Sequence, residues 1–142
     1  MAIQSTLCTS FLKALLDGEM DLSSDTAQTF KIALYDSSAT LNADTTAYSS
    51  DNEISGSGYT AGGEELTIAG TGVSDGVAYA DFADVTWSSA TFSARGALIY
   101  KSGGSNPAVA VLDFGDTNAV AGGNFTVEFP TAGATTAVIR IS

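Results

Sequence analysis

Histidine is absent from the 142 residues, and cysteine occurs once, as Cys8. The first absence removes the commonest general base and the commonest metal ligand of protein sites. The second excludes an internal disulfide and a zinc site built from cysteines. Basic residues are few: five Lys and Arg stand against 16 Asp and Glu, a formal net charge of −11. Phosphate backbones are held by Lys and Arg, so direct contact with nucleic acid is not expected. Long apolar runs are missing too. None approaches the roughly 20 residues that cross a bilayer as a helix, and no membrane association is expected. The first nine residues lack the basic region and apolar run of a secretory signal, so no export is expected.

What is present fits one domain. Apolar residues make up 44% of the chain, enough for a core without staples. The acidity suits solubility and mutual repulsion of free subunits, or complementarity to a basic partner surface.

The chain opens with helical spacing. Between residues 5 and 17 the apolar positions are Leu7, Phe11, Leu12, Leu15 and Leu16, one face of a short amphipathic helix. Ser5 or Thr6 would cap its start, and Gly18 would supply the left-handed residue at its end. The helix either packs against one end of the domain or docks on a neighbour. In the second role Leu7, Phe11 and Leu15 are the candidate contacts.

The period then changes. Residues 29–35 (TFKIALY) alternate, with Phe30, Ile32 and Leu34 facing one way, which predicts a half-buried strand. Residues 36–63 are rich in Ser, Thr, Asp, Asn and Gly. Long ordered loops are uncommon unless functional or flexible, so this stretch is a candidate contact loop, with Tyr48 and Tyr59 as its contact residues. A short helix or turn near residues 43–48 would relieve its length. Further strands are predicted at 65–69, 76–82, 85–87, 92–100, 108–114, 124–129 and 136–141, with a kink at Ala83-Asp84. Gly103-Gly104, Asn106-Pro107, Gly115-Asp116 and Gly122-Gly123 read as turns between them. Gly96 inside its strand reads as a bulge or close approach. Short strands at regular spacing without βαβ alternation predict a sandwich. The expected architecture is an all-β, jelly-roll-like antiparallel β-sandwich over residues 29–142, preceded by a helical arm or lid over residues 1–28. An immunoglobulin-like sandwich is the alternative.

Catalytic patterns are lacking. The glycine pairs have no Lys-Ser or Lys-Thr after them, as a phosphate loop requires. Serine catalysis lacks its base. Asp81 with Asp84, and Asp113 with Asp116, could pair for glycoside hydrolysis or hold calcium, but they sit where turns carry acids, and EF-hand spacing is absent. No enzyme, metal or cofactor is expected. Trp87, Phe92 and Tyr100 read as core anchors rather than an exposed platform. Arg95 stands in an apolar strand. A buried arginine needs a partner, here Asp81, Asp84 or Asp113, either within the fold or across a subunit interface. Arg95 is therefore also a candidate partner-binding residue.

Several blocks carry a family likeness. FKIALYDSSATLNADTTAY (residues 30–48), EISGSGYTAGGEEL (53–66), ADFADVTWSSATFSARGALIY (80–100), NPAVAVLDFG (106–115) and GGNFTVEFP (122–130) resemble small virion proteins of tailed bacteriophages. The SGSGYTAGG and ARGALIY blocks are the most specific parts. The resemblance implies a capsid decoration, or cement, protein on the outer surface of the shell. Its partner would be the major capsid protein, whose neighbouring subunits it would clamp as a homodimer or homotrimer. The family offers no catalytic residues. A tail or fibre module that binds a host receptor is the alternative.

Overall fold

The computed structural model describes residues 3–23, 25–129 and 139–141. Its elements run β1 (Thr6–Leu7), α1 (Thr9–Leu16), β2 (Thr29–Tyr35), β3 (Glu64–Leu66), β4 (Ile68–Ser74), β5 (Val77–Phe82), β6 (Val85–Ser102), β7 (Ala108–Val127) and β8 (Ile139–Ile141). A five-stranded sheet has the order β1-β7-β6-β2-β3, and a three-stranded sheet the order β4-β5-β8. All named pairings are antiparallel. The sheets pack as a β-sandwich with one short helix. The jelly-roll strand order is not confirmed: chain neighbours β6 and β7, and β4 and β5, lie side by side as hairpins.

β6 and β7 form one long hairpin. Its turn is closed by the Asn106 amide donating to the Gly103 carbonyl at 3.0 Å and the Gly103 amide donating to Asn106 Oδ1 at 2.8 Å. Four shorter strands were expected here. Gly115-Asp116 and Gly122-Gly123 do not reverse the chain; they lie inside β7. The ladder absorbs the extra residues as irregularities at Trp87/Ala90, Ala90/Thr91 and Ala94/Gly96. Such bulges bend a strand without ending it. Apolar side chains on both flanks, including Trp87, Phe92, Phe125 and Val127, stay on the buried side, which keeps the chain on course. The kink at Ala83-Asp84 is found where expected, between β5 and β6. The expected strand 136–141 is described only at 139–141, and residues 136–138 lie outside the described residues.

β2 departs from its expected half-burial. From Ile32 to Tyr35 every side chain is buried. It lies between β6 and β3, and the chain after it covers its second face. The Tyr35 hydroxyl donates to the Ser49 carbonyl at 2.7 Å, and Tyr48 stacks on Tyr100 with ring centroids 4.7 Å apart. On the other face Phe30 meets Phe82 of the smaller sheet.

The helix begins later than its spacing predicts. Thr6 and Leu7 pair with Val111 and Ala110, so the sheet claims residues that would open the helix. Ser5 does not cap it either; its Oγ accepts the Asp113 amide at 2.8 Å. Cys8 occupies the cap position without a side-chain capping bond; its thiol donates to the Asn42 carbonyl instead. Gly18 does adopt the left-handed conformation, φ 76°. Phe11 and Cys8 are fully buried, so this segment shares the core of the sandwich.

Candidate functional site

The polar stretch after β2 is an ordered strap rather than a free loop. The isolated bridges among the described residues all involve it: Leu41 with Ile3, Glu53 with Tyr35, Ala47 with Pro107, and Ser57 with Thr91. The expected helix or turn near residues 43–48 is a turn. The Asp44 amide donates to Asn42 Oδ1 at 2.8 Å, and the Asn42 amide to Thr45 Oγ1 at 3.0 Å.

Glu53 is the centre of this strap. Its Oε1 accepts the Tyr48 hydroxyl at 2.6 Å. Its Oε2 accepts the Tyr59 hydroxyl at 2.5 Å and the Gly62 amide at 2.8 Å. The Gly62 carbonyl in turn accepts the Tyr100 hydroxyl at 2.6 Å. Burial, reinforced by the bond to Glu53, holds the Tyr59 and Tyr48 phenols far above the ordinary tyrosine range. Burial and then the Glu53 charge also raise Tyr35 and Tyr100. Charge-assisted bonds of this kind are the stronger sort.

The SGSGYTAGG block can lie this close only because of its glycines. A Cβ on Gly58 would sit 2.9 Å from Ala90 Cα of β6. A Cβ on Gly63, at φ +82°, would overlap the Ile32 carbonyl of β2. Tyr59, between them, enters an aromatic group with Trp87 and Phe92, at centroid distances of 6.2 and 5.8 Å. Trp87 is 1% exposed, and its indole N–H has no hydrogen-bond partner among the described residues.

Arg95 marks a second feature. Gly96 pairs with Asp113 and Ala94 with Asn118, so Arg95 alone faces residues 114–117. It forms an ion pair with Asp113, the side chains being 26% and 28% exposed. Asp113 Oδ1 also accepts the Gly115 amide at 2.9 Å. Of the three partners expected for Arg95, the geometry selects Asp113. Arg95 is half-buried rather than enclosed.

The other candidates separate. Tyr48 and Tyr59 meet at Glu53. Phe11 is fully buried, so of the two roles open to it, packing and docking on a neighbour, it takes packing and belongs to the core. Leu7 lines a shallow groove beside β7 with Ser5, Leu112 and Arg140. Leu15 lines an apolar groove against the smaller sheet. Two of the carboxylates considered for chemistry, Asp81 and Asp84, hold backbone instead. Asp84 Oδ1 accepts the Phe129 amide at 2.7 Å, and the buried Asp81 accepts the Phe82 amide at 3.0 Å. Among the described residues no three His, Cys, Asp or Glu side chains gather as a metal site. Burial pushes the Cys8 thiol up to about 11, so it is not a thiolate nucleophile at neutral pH. No helix of the described residues is long and apolar enough to cross a membrane.

Glu53 carried no sequence signal, since nothing in its spacing distinguishes it from the other acids of a polar stretch. Comparison with protein-family models, with curated proteins and with solved structures gave no match.

Proposed function

We propose that this chain is a bacteriophage capsid decoration protein that binds the outer surface of the shell and stabilises contacts between major capsid subunits. The observation that carries this reading is the place of its most family-like block. SGSGYTAGG is the end of the strap, which its glycine contacts and Glu53 fasten across β2 and β6. A protein that acts by presenting a fixed surface needs its loops pre-organised, because ordering them on binding costs affinity. Glu53 and the tyrosines Tyr35, Tyr48, Tyr59 and Tyr100 are engaged in that fastening rather than grouped around a cleft.

The decoration reading includes a homodimer or homotrimer, which multiplies weak contacts at symmetry-related sites. Between Thr117 and Val127, β7 pairs only with β6 among the described residues, and it carries no charged residue there. An uncharged free edge favours strand pairing.

The test is reconstitution. Purified protein should bind expanded shells lacking it, saturably and at symmetry-related positions by cryo-EM. Density at the tail tip instead would replace decoration by receptor binding.

A further inference from the structure

Cross-strand register places Thr71, Ala80 and Ile139 in one row of the smaller sheet, and Val73, Ala78 and Ile141 in the next. Positions two apart on a strand share a face, so both rows lie on the same face. In the first row the β5 and β8 members are covered, Ala80 and Ile139 being 4% and 2% exposed, while Thr71 on the edge strand is exposed. The second is bare: Val73 and Ile141 are 78% and 41% exposed. The core-facing surface of this sheet thus continues past the core. Helix α1 borders the bare end. Leu15 and Leu22 join Val73, Ala78 and Ile141 in lining a groove of about 370 Å³ that no charged residue lines. Leu12 and Leu16, one helical turn apart beside Leu15, are 36% and 89% exposed. Leu12, Leu16, Val73 and Ile141 are the exposed large apolar residues of the described chain, and all four belong to the elements around this groove. Grouped exposure of this kind marks an interaction surface.

Charge selects the occupant. Asp17 and Glu19 follow Leu16, Asp21 precedes Leu22, and Asp75 lies two residues beyond Val73; all are exposed. Lys13 is paired with Asp17, and Lys101 donates to the Glu19 carbonyl. Arg140, between Ile139 and Ile141, points to the opposite face of the sheet; even counting it, four acids stand against three bases, so the surround keeps a net negative charge, as does the chain at −11. A second copy bringing the same face to this one would set acids against acids, which suppresses pairing.

We propose that this face docks on the shell protein, at a surface with projecting apolar side chains ringed by Lys and Arg. The proposal rests on the decoration reading and names the surface through which it acts.

The experiment measures cosedimentation with DNA-free expanded shells of the phage's own major capsid protein, at low and high salt. It compares wild type, Leu16→Asp, Val73→Asp and, as a charge control at an exposed position of β6 outside the strap and the groove, Ser93→Asp. Leu16 and Val73 are exposed, so both variants should melt like wild type. Expected are a loss of affinity of at least roughly tenfold for each, as for a truncated hot spot, unchanged binding of Ser93→Asp, and weaker wild-type binding at high salt. If wild type binds and both variants bind equally well, this face is not the docking surface and decoration proceeds elsewhere. If wild type does not bind the shells, the decoration reading fails and this proposal with it. A wild-type oligomer in light scattering that Val73→Asp dissociates would assign the face to a second copy and overturn the proposal.

Discussion

The Tyr59 hydroxyl donates to Glu53 Oε2 at 2.5 Å and accepts the Leu34 amide at 3.0 Å. One phenol thus joins a carboxylate of the strap to the backbone of β2. Because Glu53 also receives Tyr48 and the Gly62 amide, three points of the strap converge on one side chain. The polar stretch gains order from this convergence, since it has few buried apolar residues of its own.

Removing the convergence should loosen the strap before it unfolds the sandwich. Glu53→Gln replaces one accepting oxygen by an amide that can only donate, leaving partners unpaired. Tyr59→Phe leaves the Leu34 amide without its acceptor. Each should cost about 1–3 kcal/mol, the usual penalty for orphaned buried polar groups, measured by urea denaturation. Hydrogen exchange should accelerate within residues 48–62 more than in β6. Equal protection in variant and wild type would show that Glu53 does not fasten the strap.

Alkali should destabilise the fold through the same tyrosines. Phenols of the unfolded chain titrate near the ordinary value of about 10. In the folded chain burial, and then Glu53, raise Tyr35, Tyr48, Tyr59 and Tyr100 above it. The unfolded state therefore releases protons that the folded state retains, and stability falls as pH rises. This contribution should be intact below about pH 10 and lost progressively above it. Urea midpoints measured against pH would check this. Glu53→Gln removes the charge but not the burial, so its alkaline decline should be shallower, from a lower starting stability.

Gly63→Ala should be among the most damaging single changes in the strap. The position combines φ +82° with overlap between the added methyl and the Ile32 carbonyl. Gly104, at φ +60°, has open space where its Cβ would be. Gly104→Ala should therefore cost only the left-handed penalty of about 1–2 kcal/mol. Gly63→Ala should exceed that by a clear margin in denaturant midpoint. Equal costs would mean that the strap does not press on β2.

Much of the architecture was legible because burial on one face imposes a period of two. Residues 85–87 and 124–127 show it directly, whereas β2 follows it only as far as Ile32 before both faces are covered. The long hairpin was not legible, because Gly115 and Gly122 carry the same local preference whether a chain reverses or bulges. Only the pairing partner decides between them. Likewise Thr6 and Leu7 fit a helix until β7 offers them a ladder. At the candidate sites, Arg95 announced its need for a carboxylate, and Asp113 was one of the three in view. Glu53 gave no such signal, because its partners are hydroxyls and an amide brought in by the fold of the strap. The bare face of the smaller sheet is not legible in the sequence for a related reason. Val73 and Ile141 read as ordinary strand residues, and only the cross-strand register places them together.

The Arg95–Asp113 pair should prove modest in energy and local in effect. Both side chains are about one quarter exposed, 26% and 28%, so water screens them and neither is a stranded interior charge when the other is removed. The loss of about 3–5 kcal/mol that follows breaking a fully buried pair does not apply. A coupling of about 1 kcal/mol, at the upper end for exposed pairs, is expected from a double-mutant cycle of Arg95→Ala and Asp113→Asn. Asp113 has a second duty: its Oδ1 accepts the Gly115 amide and so shapes the four residues facing Arg95. Asp113→Asn keeps an acceptor for that amide while losing the charge, whereas Asp113→Ala loses both. Hydrogen exchange over residues 114–118 should therefore rise more for Asp113→Ala than for Asp113→Asn or Arg95→Ala. If the Arg95 change instead dissociates an oligomer while the melting point stays fixed, its charge serves a subunit interface rather than the bulge.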